Sequence, residues 1–321
     1  MGIRFHLPGF RNNFPLNMVF INMLKEFPEF FREDIEIGSF FGEFPTSLWN
    51  GGRYDNDDQC DAGYIQQVIR HINAQGIPIR YTFTNPLLTE ADLADEYCNY
   101  CMQAADNGMN EVLVVSPILE QYIRETYPRF KINSSTCKEI KDMEALNQEL
   151  EKDYNLVVLD YNLNNKFELL EQIRDKERCE ILVNSCCIPD CPRRGAHYRF
   201  ISQQQRTCLE NRKLPEEKRK PVQRWSCSYG ESNSLYEYRN YPTFVSPEDI
   251  WEKYVPMGFT NFKLEGRTAN IFLLIDTYCY YFAKPEHRDE ARLLMTVNLQ
   301  ANKIITVNKP KKGVFVLPEQ K

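Results

Sequence analysis

Glu111-Val-Leu-Val-Val-Ser116 and Leu156-Val-Val-Leu-Asp160 are the stretches on which the reading of the fold turns. Neither alternates apolar with polar residues, and both end abruptly on a polar side chain. Continuous short apolar runs of this kind belong to strands buried on both faces of a parallel sheet. Parallel neighbours need helical crossovers, and the surrounding sequence supplies them. Outward from these two runs, strands are expected at 3–7, 34–41, 78–84, 111–116, 130–134, 156–160, 179–184 and 261–264. Helices are expected at 16–31, 61–75, 90–107, 118–127, 138–152, 167–176, 247–254 and 269–282. Eight strand–helix units in succession predict an α/β fold, a TIM-like (β/α) eight-stranded barrel. No Gly-x-Gly-x-x-Gly follows any strand, which weighs against a dinucleotide-binding sheet.

The domain reading is one barrel over 1–284, with a long cysteine-containing loop at 185–246 after strand seven. A small C-terminal appendage at 285–321 carries a helix at 288–298 and a hairpin around 308–313. Apolar residues make up 42% of the 321 and aromatics 13%, enough for a large core and too much for a disordered chain. The longest apolar stretch, 271–283, is shorter than the roughly 18 residues of a membrane helix and contains Asp276. With no apolar export segment at the N-terminus, no membrane association is expected, and the cytoplasm is the expected compartment. The net charge of −6 excludes indiscriminate nucleic-acid binding by the whole surface. It conceals an asymmetry, because 191–224 carries +7 and the remainder −13.

In a β/α barrel the chemistry lies where the strands end, since the βα loops converge there. Residues at those positions include Glu36, Ser39, Asn85, Ser116, Ser134, Asp160, Asn162, Asn184, Glu265 and Arg267. Asn85 and Ser116 precede prolines and suit turns or helix caps. Asp160, Glu265 and Arg267 are less easily read as caps, because charges aimed into a barrel mouth need partners or ligands.

Eleven cysteines in a reducing compartment point to metal or catalysis where they cluster. Cys98, Cys101 and Cys279 are among those expected to be buried packing. Cys186, Cys187, Cys191, Cys208 and Cys227 fall in the loop after strand seven. Cys187 and Cys191 form a C-x3-C pair in a proline-containing turn, while Cys208 and Cys227 follow at intervals too irregular for a zinc ribbon. Irregular spacing favours an iron–sulfur cluster held by Cys187, Cys191, Cys208 and Cys227, with zinc or no metal as alternatives. Cys186 can stand in for Cys187. Arg193, Arg194 and Arg206 would offset the thiolate charge. His197, six residues beyond Cys191, is a candidate acid, base or ligand. No Ser-His-Asp, H-E-x-x-H or P-loop pattern is present.

The string Asn184-x-x-Cys187-x-x-x-Cys191-Pro192-x-Arg194-x-x-His197 resembles the signature of the collagenase-like peptidases of family U-thirty-two (U32), in its short single-barrel branch. Gly51-Gly52-Arg53, Leu159-Asp160-x-Asn162-Leu163-Asn164, the run 244–249 and Phe262-Lys263-Leu264-Glu265-Gly266-Arg267 agree in order; Ser246 stands where relatives often carry Arg. The resemblance implies a β/α barrel with a four-cysteine 4Fe-4S cluster. It further implies kinship to oxygen-independent hydroxylases acting on transfer RNA, ribosomal RNA or quinone precursors. On this reading Asp160, His197 and Glu265 are catalytic, and Arg53, Asn85, Asn162, Asn184, Arg194 and Arg267 bind an anionic small molecule or RNA. The rivals are a peptidase, as the family label says, and a non-catalytic iron–sulfur or RNA-binding subunit. Trp225, Tyr229, Tyr236, Tyr238 and Tyr241 beside the basic run keep the last among the rivals.

Overall fold

The computed structural model describes residues 2–52, 60–227, 237, 239–266 and 270–305. Its eight parallel strands close into a barrel in chain order: β1 (Ile3–Pro8), β2 (Ile35–Gly42), β3 (Ile79–Phe83), β4 (Glu111–Val114), β5 (Lys131–Ser134), β6 (Leu156–Val158), β7 (Cys179–Leu182) and β8 (Asn261–Lys263). β8 returns to β1 with Phe262 opposite Phe5. The TIM-like barrel expected from the sequence is the fold. Helices α1 (Phe14–Glu26), α2 (Ala62–Asn73), α3 (Glu96–Ala105), α4 (Pro117–Thr126), α5 (Met143–Leu150) and α6 (Phe167–Leu170) follow successive strands. Then come α7 (Arg194–Arg212), α8 (Pro247–Asp249), α9 (Ile271–Phe282) and α10 (Arg288–Ala301).

Successive side chains along a strand face opposite ways, and here the two faces differ in kind. The outward set packs on the helices: the Phe5 ring meets Phe282 edge-on at 4.7 Å, and the Tyr81 hydroxyl donates to Cys101 O. The inward set is charged. Arg80 on β3 reaches Glu111 on β4 and, across the lumen, Glu180 on β7. Strands three and seven touch only through the barrel interior, so these residues lie inside it. The interior of a small barrel is filled by side chains, not open.

Several helices are shorter than expected. The run expected as a helix over 16–31 stops at Glu26, because Pro28 cannot donate and pushes Phe27 out of the helical region, to φ −133° and ψ 53°. The helix expected at 138–152 begins only at Met143, where Asp142 accepts from Ala145 N as its cap. The largest correction concerns 185–246, expected to be irregular: it contains the 19-residue helix α7. The buried residues of α7 are Arg194, Ser202, Gln205 and Thr207, so its inner face carries none of the apolar stripe that marks a helix in sequence. The helix of the C-terminal segment, α10, packs on α9 and α1 through Ala291, Met295 and Leu299. The hairpin expected around 308–313 lies outside the described residues. No described helix is long and apolar enough to cross a membrane.

Candidate functional site at the barrel mouth

The loops after β6, β7 and β8 meet at one side of the mouth. Asp160 follows β6 and is buried; its Oδ1 accepts from the backbone and side-chain N–H groups of Asn162 at 2.9 and 2.7 Å. Its Oδ2 lies 2.6 Å from Arg194 Nη1, in an ion pair closed to solvent on both sides. Arg194 uses the rest of its fork on Tyr198 OH at 2.8 Å and on the carbonyl and hydroxyl of Thr136 at 3.0 and 3.1 Å. Its guanidinium also stands 4.3 Å from the Tyr161 ring centre. Burial opposes its charge, but Tyr198 and Asp160 outweigh that and hold it protonated. Arg194 therefore fixes the first turn of α7 to the barrel, and its donors are engaged within the protein.

The same holds for the amides of the ring. Asn162 Oδ1 accepts from Asp190 N at 2.7 Å, fixing the turn between Cys187 and Cys191. Asn184 bonds the backbone of Glu265 in both directions, at 3.1 and 2.6 Å, locking the end of β7 to that of β8. Glu265 Oε2 in turn accepts from Cys186 N at 3.0 Å. Asn85 donates to Leu48 O and accepts from Leu87 N, as a turn residue does. Arg53 and Arg267 lie outside the described residues, as do Tyr229, Tyr236 and Tyr238.

The thiols gather at the start of α7. Cys187 is within hydrogen-bonding reach of both Tyr161 and Cys191. Burial pushes its pKa up, Tyr161 opposes that, and the neighbouring Cys191 adds to it. The chain after α7 runs back along the helix. Lys220 N bonds Asn211, Gln223 N bonds Gln204, and Trp225 stacks on His197 with ring centres 4.8 Å apart and planes 8° apart. Arg193 covers Trp225 at 4.4 Å and donates to Ser226 O. This returning strap brings Ser226, the neighbour of Cys227, onto Arg193 beside the start of α7. Burial, then Glu237 and the thiols of Cys186, Cys187 and Cys227, raises the pKa of the Tyr241 phenol. Cys208 goes elsewhere: fourteen positions beyond Arg194 on a continuous helix put it roughly 21 Å along the axis. Arg206, two residues earlier, is held by Asp92 at 2.8 and 3.0 Å, on the loop after β3. Cys98, Cys101 and Cys279 are buried in the core.

Soft thiolates beside arginines are the donors that iron–sulfur clusters and zinc take, so the chemistry of the set fits such a group. Among the described residues, however, no three His, Cys, Asp or Glu side chains stand close enough to hold a metal ion. The described arrangement is a Cys187–Cys191 pair with Cys186 and Cys227 nearby.

Sequence reasoning missed the polar lumen below this site. His6 Nδ1 lies 2.8 Å from Ser39 Oγ and 2.9 Å from Arg80 Nη2. Asn133 donates to Glu111, Thr82 to Glu43, and Lys263 Nζ stands 3.5 Å from Glu180 Oε1. The signal was present in Ile79-Arg-Tyr-Thr-Phe83 and Cys179-Glu-Ile-Leu182, where one charge each, Arg80 and Glu180, interrupts a mostly apolar strand.

No family model matches the chain. It is similar to the Uncharacterized protease MJ1657 of Methanocaldococcus jannaschii, with 27% identity over 109 residues. That stretch is 33% of this chain and 32% of the relative, so the match spans about a third of the curated protein's length. Among solved structures, the U32 peptidase Mk0906 aligns over 84% of this chain and 95% of its own, with 13% identity and a TM-score of 0.45. The sequence likeness is thus confined to 109 residues, and it is to a protein named as a protease.

Proposed function

We propose that this barrel is an iron–sulfur enzyme of the oxygen-independent, hydroxylase-like kind, acting at its mouth on an anionic substrate. The observation that carries the reading is the contact of Cys187 with Cys191 just before α7, with Cys186, Cys187 and Cys227 all acting on the Tyr241 phenol. Cys187, Cys191 and Cys227 would hold a 4Fe-4S cluster. For the fourth ligand the described geometry favours Cys186 over Cys208. When bound, such a cluster supplies redox chemistry and a site to activate an oxygen-bearing group. The chain's own residues do the rest. Asp160 and Arg194 fix the helix that follows the cysteine turn, Asn184 and Glu265 fix its entry, and the returning strap covers it. The Arg-rich strap, with Lys218, Arg219, Lys220 and Arg224 exposed, gives an anionic small molecule or RNA its electrostatic approach.

Iron and sulfide analysis of anaerobically purified protein tests this, with about four of each expected per chain. Cys187→Ser and Cys191→Ser should lose the colour, and Cys208→Ser and Cys98→Ser should keep it. Stoichiometric zinc without iron overturns the cluster. Loss of iron in Cys208→Ser restores the ligand set expected from spacing. The peptidase reading lacks an identifiable nucleophile–base pair. Cleavage of gelatin above a Cys187→Ser control, abolished by Glu265→Gln, would reinstate it.

A further inference from the structure

Away from the mouth, the outer side of α9 and α10 carries apolar side chains that the barrel does not bury. Among the described residues Phe272, Leu293 and Val297 are each more than half exposed, and the next, Val222, stands apart on the strap. Single exposed apolar residues are ordinary, whereas neighbouring ones mark a contact surface. These three are neighbours. A short link, 283–287, joins α9 to α10 and runs them antiparallel, and Arg292 reaches Asp276 across the pair at 2.7 Å. Phe272 lies one turn before Asp276, so it stands beside Thr296 and Val297, one turn past Arg292. Leu293 and Val297, four residues apart, share the outer side of α10. Ala291, Met295 and Leu299 occupy its inner side.

We propose that this face binds a second copy of the chain, with α10 antiparallel to α10 across a two-fold axis. A two-fold interface needs one patch that answers itself, and α10 has that property. With the axis at the level of Met295, Leu293 of one copy meets Val297 of the other, and Phe272 flanks the pair. The ends then match in charge. Asp289 and Glu290 lie in the first turn of α10, and Lys303 stands two residues past its end. Antiparallel pairing brings each acidic start toward the partner's Lys303, and it opposes the two helix dipoles favourably. Asp289 already touches Arg292, but its side chain is 93% exposed and stays open to a partner. A face two helices wide, each about 10 Å across and about 20 Å long, falls at the low end of stable interfaces, which bury roughly 800 Å² per partner. The dimer is therefore concentration-dependent, dissociating in the micromolar range.

Sedimentation velocity of the full chain from about 1 to about 300 μM reads this directly, and the wild type should pass from monomer to dimer over that range. Each substitution counts twice in a two-fold interface. Leu293→Asp and Val297→Asp should therefore each weaken the dimer about a hundredfold or more. Both side chains are largely in water in the single chain, so circular dichroism of the two variants should match the wild type. Val222→Asp, on the strap, should leave the dimer intact. A benzophenone photocrosslinker placed at position 293 should join α10 to α10 of a second copy. Capture instead of the chain's own apolar run, Val314-Phe-Val-Leu317, would show that the face is covered from within and overturn the proposal. A monomer throughout the range overturns it too, as does a dimer that survives both aspartate variants.

Discussion

The lumen and the cysteine loop both place charge where water is scarce, and they do it by opposite means. In the lumen, position comes from strand register: Arg80, Glu111 and Glu180 are inward residues of β3, β4 and β7, and closing the barrel brings them together. In the loop no register exists, and one buried pair, Asp160 with Arg194, fixes the start of α7 to the end of β6. Removing a partner therefore has different consequences. A lumen charge left alone has nowhere to go, whereas a loop can move and let water in.

Arg80→Met should give the largest effect. It removes the shared guanidinium of two carboxylates, of which Glu180 is wholly closed to solvent and Glu111 nearly so, and breaking a buried pair in this way costs about 3–5 kcal/mol. Urea denaturation followed by circular dichroism reads it directly. A loss near zero would mean that the lumen is wetter or looser than its register implies.

Acid should act next, through the same column. Burial, reinforced by Arg80, lowers the pKa of His6 from 6.5 to about 4, so the folded protein keeps it neutral. Between those values the unfolded chain takes up a proton that the folded chain refuses. Stability then falls as pH falls from about 6.5 toward 4, by up to about 1.4 kcal/mol per unit. Glu180 contributes in a lower window. Burial opposes its charge, but Arg80, His6 and Lys263 overcome that and bring it from 4.5 to about 2. Its share is present above pH 4.5 and is lost as pH drops toward 2. In His6→Asn the first window should flatten while the second persists. An unchanged slope between pH 6.5 and 4.5 would show that His6 is not the group responsible.

Arg194→Lys comes third. Lysine keeps the charge for Asp160 but lacks the planar fork that also serves Tyr198 and Thr136. The loss of two or three hydrogen bonds predicts about 1–3 kcal/mol, smaller than for Arg80 because the start of α7 can shift. Thermal melts check the magnitude. A cost equal to that of Arg80→Met would erase the distinction between the two regions.

What the sequence made legible follows the same division. The barrel could be read because apolar runs such as Val112 to Val114 have one physical explanation, burial on both faces. The mouth residues could be located because strand ends are marked by Asp160, Asn184 and Glu265. What these residues hold could not be read: Asn162 bonds Asp190, twenty-eight positions away, and Asn184 bonds Glu265, eighty-one away. Helix α7 escaped because its buried face is Arg194, Ser202, Gln205 and Thr207, which no apolar period reveals. With the helix unseen, Cys208 looked as close to the cysteine turn as Cys227. The helix carries it away, and the returning strap brings Ser226, the neighbour of Cys227, back to Arg193.

The smallest effect should come from the outer edge of the loop. Asp190 turns the chain at φ 50°, in the left-handed region that Asp tolerates better than most residues. Lys141 reaches its carboxylate at 2.9 Å, yet both side chains are largely in water. Such pairs are screened by salt and lose side-chain entropy on forming, and many contribute nothing measurable. The same turn is held from inside by the Asn162 side chain, which accepts from Asp190 N beneath the surface. Lys141→Ala should leave the melting temperature and any bound metal unchanged at low and high salt, whereas Asn162→Ala should cost about 1–2 kcal/mol. A marked loss in Lys141→Ala that grows at low salt would mean that surface charge holds the cysteine turn. Asp160 and Arg194 would then be secondary, and the loop would be held by a field instead of by buried contacts.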